Sequence, residues 1–237
     1  HFDHTSGAKQ LRDVTGAQVT LHPQEEAWLR DWQSEAPQDI EIPEEAKDLR
    51  EKIAKFREQA AEAEPDVMMN DGDEFKVGGV TLRIVLTPGH TLGSVCIYIP
   101  EEKALFTGDT ALGLGTVAIS PPPHGDMALY LQSLARLQTL DCDVMLPGHG
   151  ISVNNVPAKL QELIDHRHAR EEQILKLIGK TQQQGLTLVP VPMHFRRGLV
   201  KVELGLEQGK KQRDKRDELK KKEAMRDVAR AMGRKGR

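Results

Sequence analysis

The spacing of apolar residues changes period several times along the chain. After residue 4 it predicts a helical stretch punctuated by Gly7 and Gly16, a short strand over 18–21 and a second short helix over 25–32. Residues 37–43 read as a loop between two prolines. Residues 44–64 are charged and alanine-rich, with Leu49, Ile53 and Phe56 at helical spacing, and Pro65 ends them. That apolar stripe is thin, which suits a surface insertion or lid-like helix. The period then falls to two. Residues 75–77 lead into the Gly78-Gly79 hairpin signal, and strands are expected over 80–86, 94–99 and 104–107, the last two around a turn at 101–103. Residues 127–140 return to helical spacing, with Leu131, Leu134 and Leu137 on one face, and 144–146 form a short buried strand. Beyond these, 157–178 read as helix in two pieces and 181–185 as a polar turn. Strands over 186–195 and 199–206 are joined by Arg196-Arg197-Gly198. From Gly209 onward no apolar face is complete, so that segment reads as a solvated helix or as disordered until bound.

Composition limits how much of this can pack. Hydrophobic residues make up 38% of the 237 and aromatics 4%, against 29% charged. Such a chain supports a core over part of its length rather than all of it. The net charge of -3 hides an asymmetry. Residues 207–237 carry 13 Lys+Arg against 6 Asp+Glu, which leaves an acidic body with 20 against 30. A basic segment on an acidic body suits an anionic partner such as nucleic acid, or simply a solvated charged helix. Cys96 and Cys142 lack metal-site spacing and sit among apolar residues, so buried free thiols in a reducing, cytoplasmic compartment are expected. No apolar run approaches the ~20 residues that span a bilayer, so no membrane partner is expected.

Candidate chemistry sits at the ends of the expected strands. His1, Asp3 and His4 place three potential metal ligands in four positions. His90 follows Thr87-Pro88-Gly89, Asp109 follows Thr107-Gly108, and His149 follows Pro147-Gly148. Imidazole and carboxylate suit zinc and similar divalent ions. Side chains just past strand ends converge on one rim of a sheet, and Gly89, Gly93, Gly108, Gly148 and Gly150 let backbones crowd round a pocket. Two sites can be drawn, one from His1 and His90 and one from Asp3, His4 and His149, with Asp109 able to bridge them. Two close metals would generate hydroxide at neutral pH, and Asp3 is placed to orient the water as a catalytic residue. His22, His124, His166, His168 and His194 lack such surroundings.

These residues resemble a known family. His1-Phe2-Asp3-His4, then the run Pro88 to Ser94, then Phe106 to Thr110, then Pro147 to Gly150 are similar to the motifs of the metallo-β-lactamase superfamily. The branch with lactamase-like hydrolases and endoribonucleases is the nearest in wording, through Asp126, residues 130–134 and 166–175. The likeness covers roughly residues 1–178. It implies an αββα sandwich, two zinc ions, and zinc-bound hydroxide acting on an ester, thioester, amide or phosphodiester, in a small-molecule or nucleic-acid substrate. The family motif is HxHxDH, in which His1 matches the second histidine. The resemblance thus implies an N-terminally truncated domain with one metal site incomplete.

The wording of the chain changes after residue 168. Residues 179–190, 195–206, Gly209-Lys210-Lys211 and Asp214-Lys215-Arg216 resemble the C-terminal part of the SsrA-binding protein family. That likeness implies tmRNA and the ribosome as partners in trans-translation, through Lys210, Lys211, Arg213, Asp214, Lys215 and Arg216. Basic side chains neutralise RNA phosphates and release counterions, and Arg can also stack on bases.

The fold class expected is therefore α+β: an incomplete metallo-β-lactamase-like sandwich over residues 1–167, then an SsrA-binding-protein-like segment over 168–237. The latter consists of a hairpin of an OB-type barrel at 186–206 and a basic tail at 207–237. Three functional readings stay open: a zinc hydrolase with an RNA-binding tail, a non-enzymatic tmRNA- and ribosome-binding protein, and a chimeric fragment with neither function intact.

Overall fold

In a computed structural model of the chain, the structure describes residues 2–30, 47–120, 122–184, 186–196 and 199–208. His1, the expected loop at 37–43 and the basic residues from 209 onward lie outside the described residues. The chain divides into two compact units, residues 1–166 and 167–237.

The first unit begins with α1 (Phe2–Thr5), α2 (Ala8–Thr15), β1 (Thr20–Leu21), α3 (Pro23–Arg30) and α4 (Lys47–Ala61). Phe2, Asp3 and His4 thus lie on a helical turn of their own, where the sequence suggested a helix only after residue 4. β2 (Val67–Met68) pairs in parallel with β1, a two-residue contact too short to leave a periodic signal. Asp66 completes the joint, since its carboxylate accepts the Val19 N–H at 2.8 Å.

The main sheet has five strands in the order β3 (Glu74–Val77), β4 (Val80–Leu86), β5 (Val95–Ile99), β6 (Ala104–Gly108) and β7 (Val144–Pro147). The first three pairings are antiparallel and β6 pairs with β7 in parallel. A parallel neighbour needs a crossover, and α5 (Met127–Leu137) lies in it. Asp126 caps α5, its carboxylate accepting the Leu129 N–H at 2.9 Å. The buried stripe of α5 is Tyr130, Ser133, Leu134 and Leu137, so Tyr130 takes the core place expected of Leu131. The core joins Val85, Cys96, Tyr98, Leu105 and Met145 of the sheet to that stripe and to Val156, Leu160 and Leu163 of α6 (Val156–Gln184). Both cysteines are free and buried, and burial pushes each thiol up to about 11.

The sheet is apolar on both faces. Leu105 points into this core and is fully buried, whereas Phe106, pointing the other way between Ile97 and Leu146, is 43% exposed. Two neighbouring substitutions should therefore differ. Leu105→Ala should cost about 3 kcal/mol in urea unfolding and Phe106→Ala only about 1 kcal/mol, because a cavity forms only at the first. Equal costs would show that both faces are packed alike.

The division between the units falls within α6. This helix runs unbroken where two pieces were expected, and residues 181–184 continue it where a turn was expected. One internal glycine, Gly179, costs a helix only about 1 kcal/mol, and Lys and Gln around it favour helix. The Thr181 hydroxyl donates to the Ile178 carbonyl at 2.6 Å, as helical threonines do. The second unit adds the antiparallel hairpin of β8 (Leu186–Arg196) and β9 (Leu199–Gln208). Its register shifts between Pro190 and Met193, where Pro190 and Pro192 have no N–H to give to the ladder. Among the described residues no helix is long and apolar enough to cross a membrane.

Candidate metal centre

The sheet order decides where the candidate ligands meet. β4 and β6 are each antiparallel to β5, and β7 is parallel to β6, so β4, β6 and β7 point the same way. Their C-terminal ends deliver His90, Asp109 and His149 to one rim. The loop turning out of β4 is held by hydroxyls: Thr87 and Thr110 are buried and their oxygens lie 2.9 Å apart. The turn of α1 brings Asp3 and His4 to the same rim.

Asp3, His4, Asp109 and His149 each offer one ligand atom, all within 4.8 Å of one another. His4 Nε2 lies 3.1 Å from Asp109 Oδ2 and 3.8 Å from Asp3 Oδ2. His149 Nε2 lies 3.1 Å from Asp3 Oδ2 and 3.5 Å from Asp109 Oδ1. A tetrahedral ion with bonds of about 2.0–2.2 Å holds its ligand atoms roughly 3.3–3.6 Å apart, so the 3.1–3.8 Å spacings lie near those of such an ion and the widest, up to 4.8 Å, would have to close around it. Asp109 Oδ1 is buried and accepts no hydrogen bond from the described residues. A buried carboxylate oxygen in that state is suited to a cation.

His90 also approaches Asp109. Its Nδ1–H donates to the Ala118 carbonyl, which can only accept, so the neutral ring carries its lone pair on Nε2. That atom lies 3.7 Å from Asp109 Oδ2. Asp109 therefore has His4 and His90 beside Oδ2 and His149 nearest Oδ1.

The charges of the cluster are coupled. The hydrogen bond to Asp109 raises His4 above the usual imidazole value, outweighing the opposing effect of burial. Burial pushes Asp109 up, but the hydrogen bond from His4 and the neighbouring histidines hold it below the usual carboxylate value. A rim that concentrates two carboxylates among three imidazoles favours proton or metal between them.

Gly148 is where this crowding requires glycine. A Cβ there would stand 2.7 Å from His4 Cε1 and 3.1 Å from Asp109 Oδ1. Gly148→Ala should push His4 aside and weaken metal binding about tenfold in a competitive chelator titration, with the far-ultraviolet circular dichroism unchanged. Unchanged affinity would mean that His4 binds nothing.

The structure thus brings together Asp3, His4, Asp109 and His149, with His90 beside Asp109. His1 lies outside the described residues, as do Lys210, Lys211, Arg213, Asp214, Lys215 and Arg216. Of the histidines set aside, His22 is buried and its Nδ1 accepts the Gln24 N–H at 3.3 Å, a structural role. Sequence reasoning missed the supporting groups. Ala118 fixes the His90 ring through a backbone carbonyl, and Ser133 of α5 holds the same loop by donating to the Pro88 carbonyl at 2.8 Å. A main-chain acceptor leaves no residue-type signal. Glu25 accepts the Gly93 N–H at 2.6 Å and ties α3 to the loop after His90, a contact between distant segments that no local pattern reports.

This arrangement is that of the metallo-beta-lactamase superfamily, whose family model matches residues 1–149; the chain belongs to that superfamily. A second family model, SmpB protein, matches residues 143–234. The chain is 41% identical over 118 residues to an atrochrysone carboxyl ACP thioesterase of Aspergillus fumigatus, covering 50% of this chain and 36% of that protein. It is 40% identical over 124 residues to the lactamase-like protein nscB of Arthroderma otae, covering 51% and 35%. The chain spans about a third of the length of these curated relatives. A metallo-beta-lactamase family protein from Thermus thermophilus superposes with a TM-score of 0.57 at 26% identity, over 70% of this chain and 57% of that one. A beta-lactamase domain protein from Burkholderia ambifaria, at 23% identity and a TM-score of 0.56 over 73% and 53%, shares the fold.

Proposed function

We propose that residues 1–167 hold the centre of a zinc-dependent hydrolase and that residues 168–237 bind RNA, within a cytoplasmic protein. The observation that carries the first part is the four-atom spacing of Asp3, His4, Asp109 and His149. Those residues would hold one ion. His90 and His1 would contribute to a second, with Asp109 between the two. When bound, the metal supplies Lewis acidity and lowers the pKa of water into the neutral range. The chain's own residues do the rest. Asp109 sets the charge of the pocket, and the Ala118 carbonyl keeps His90 in the tautomer that presents Nε2. Asp3, with its side chain 41% exposed, is placed to orient water and hold its proton at Oδ1, the oxygen turned away from His149 and His4. Among ester, thioester, amide and phosphodiester substrates, the name of the Aspergillus fumigatus relative favours a thioester.

The test is metal analysis of the purified chain joined to a thioester hydrolysis assay with added zinc. Up to two zinc ions per chain are expected, and Asp3→Asn should lower kcat at least about a hundredfold. Absence of stoichiometric zinc, or full activity in Asp3→Asn, overturns the reading.

The match of residues 143–234 to SmpB protein supports a second activity, binding of tmRNA and the ribosome. Lys210, Lys211, Arg213, Asp214, Lys215 and Arg216 are the residues proposed to meet RNA. The two activities are separable, since one rests on the rim of the sheet and the other on the basic residues beyond β9.

A further inference from the structure

Two of the loops that carry the ligands also carry exposed aliphatic side chains. Leu114, on the loop that begins at Asp109, is 76% exposed, and Ile151, two residues past His149, is 65% exposed. Single exposed aliphatics are ordinary on a protein surface. These two are set apart by being fixed together. Gly113 lies directly on the backbone of residue 151: a Cβ there would be 2.0 Å from the Ile151 carbonyl oxygen and 3.3 Å from Ile151 Cγ1. A Cβ on Gly150 would lie 3.8 Å from the Leu114 nitrogen. Glycine at 113 lets the two loops touch, and their touching brings together the backbones that carry Leu114 and Ile151. Neither belongs to the buried core. His149, two residues before Ile151, has a side chain that is itself 52% exposed and bonded to Asp3.

We propose that Leu114 and Ile151 form an apolar lip that holds the aliphatic acyl chain of the substrate while its carbonyl lies at the Asp3–His4–Asp109–His149 cluster. This rests on the hydrolase reading and narrows it, from thioesters in general to those of aliphatic acyl groups. The lip is built on the same two loops as Asp109 and His149, so a carbonyl at the cluster places the neighbouring methylenes over it. Full burial of a methylene strengthens binding about fourfold, so a half-open lip of two side chains gives about twofold per methylene over a short run. The lip contains no charge, so it adds affinity for chain length and not for a head group.

The test uses the full chain and has two readouts. The first is hydrolysis of butyryl, hexanoyl, octanoyl and decanoyl N-acetylcysteamine thioesters by the zinc-loaded chain. The second is binding of the matching non-hydrolysable S-alkyl thioethers to the metal-free chain by calorimetry. In the native chain kcat/KM and affinity should each rise about twofold per methylene from butyl to octyl. In Leu114→Ser/Ile151→Ser both slopes should flatten, with about tenfold weaker binding of the decyl thioether and little change for the butyl one. Leu114→Met should restore most of the slope. Both positions are exposed, so the double variant should keep the native melting temperature. An unchanged slope in the double variant, or no slope in the native chain, overturns the lip. A slope in thioether binding that the double variant removes, without any hydrolysis, upholds the lip and sinks the hydrolase reading instead.

Discussion

Asp109→Asn is expected to abolish metal binding while leaving the metal-free chain folded. With zinc at about a hundred times its dissociation constant, the native chain should gain about 2.7 kcal/mol, or roughly 5–10 °C in melting temperature for a unit of this size. The variant should gain nothing, and its hydrolysis should fall at least about a thousandfold, because the residue that faces His4, His90 and His149 has lost its charge. The metal-free proteins should differ with pH in a direction that the cluster dictates. His4 is raised above 6.5 by Asp109, so its contribution is complete below about 6.5 and fades as pH rises through the raised value. Asp109 is held below 3.8, so its contribution is present above about 3.8 and fades as pH falls through the lowered value. The pair therefore stabilises the metal-free chain most between about pH 4 and 6.5. Asp109→Asn should be destabilising near pH 6, and its cost should shrink as pH rises through the raised His4 value. Zinc binding runs the other way and strengthens as pH rises, since it displaces the same protons. A variant that still gains stability from zinc would rule out Asp109 as the shared ligand.

How much of this was legible in the sequence depended on how local each signal was. The strands from 74 to 108 announced themselves because alternation, a Gly78-Gly79 turn and β-branched residues all lie within a few positions of one another. The rim was legible for the same reason, since His90, Asp109 and His149 follow their strands by one to four residues. What escaped was the detail of the contacts within the group. Nothing in the spacing says that His4, rather than His90, hydrogen-bonds to Asp109, or that Asp3 reaches His149; both contacts span more than a hundred residues. The continuous α6 was misjudged because Gly179 and the polar run after it read as punctuation, whereas helix propensity around a lone glycine is enough to carry the helix through. The apolar lip was invisible because Leu114 and Ile151 are ordinary loop residues until Gly113 sets one loop on the other.

The second large effect is expected in RNA binding. Lys215→Ala/Arg216→Ala should weaken binding to tmRNA about thirtyfold at 0.1 M salt and reduce the salt slope of log K by roughly 1.4–1.8, following the counterion released per phosphate at about 0.7–0.9 per charge. Near 1 M salt the difference should vanish, because counterion release no longer favours the complex. The tail has to supply this attraction, for the rest of the chain carries 20 Lys+Arg against 30 Asp+Glu and repels a polyanion. Within the tail, Lys210, Lys211, Arg213, Lys215 and Arg216 place five positive charges in seven residues with Asp214 alone among them. A merely solvated charged helix would also lose some affinity when neutralised, so neutralisation elsewhere in the tail supplies the comparison. Arg234→Ala/Lys235→Ala removes the same charge near the end of the chain, and should shift the slope by less than about half as much if the 210–216 cluster is the contact. Equal losses from both pairs would reduce the tail to a diffuse cationic segment, and no loss from either would place RNA recognition outside it. Because the metal cluster draws on none of these residues, the zinc-induced rise in melting temperature should survive both tail variants. The Asp109→Asn protein should in turn bind RNA with the native salt slope.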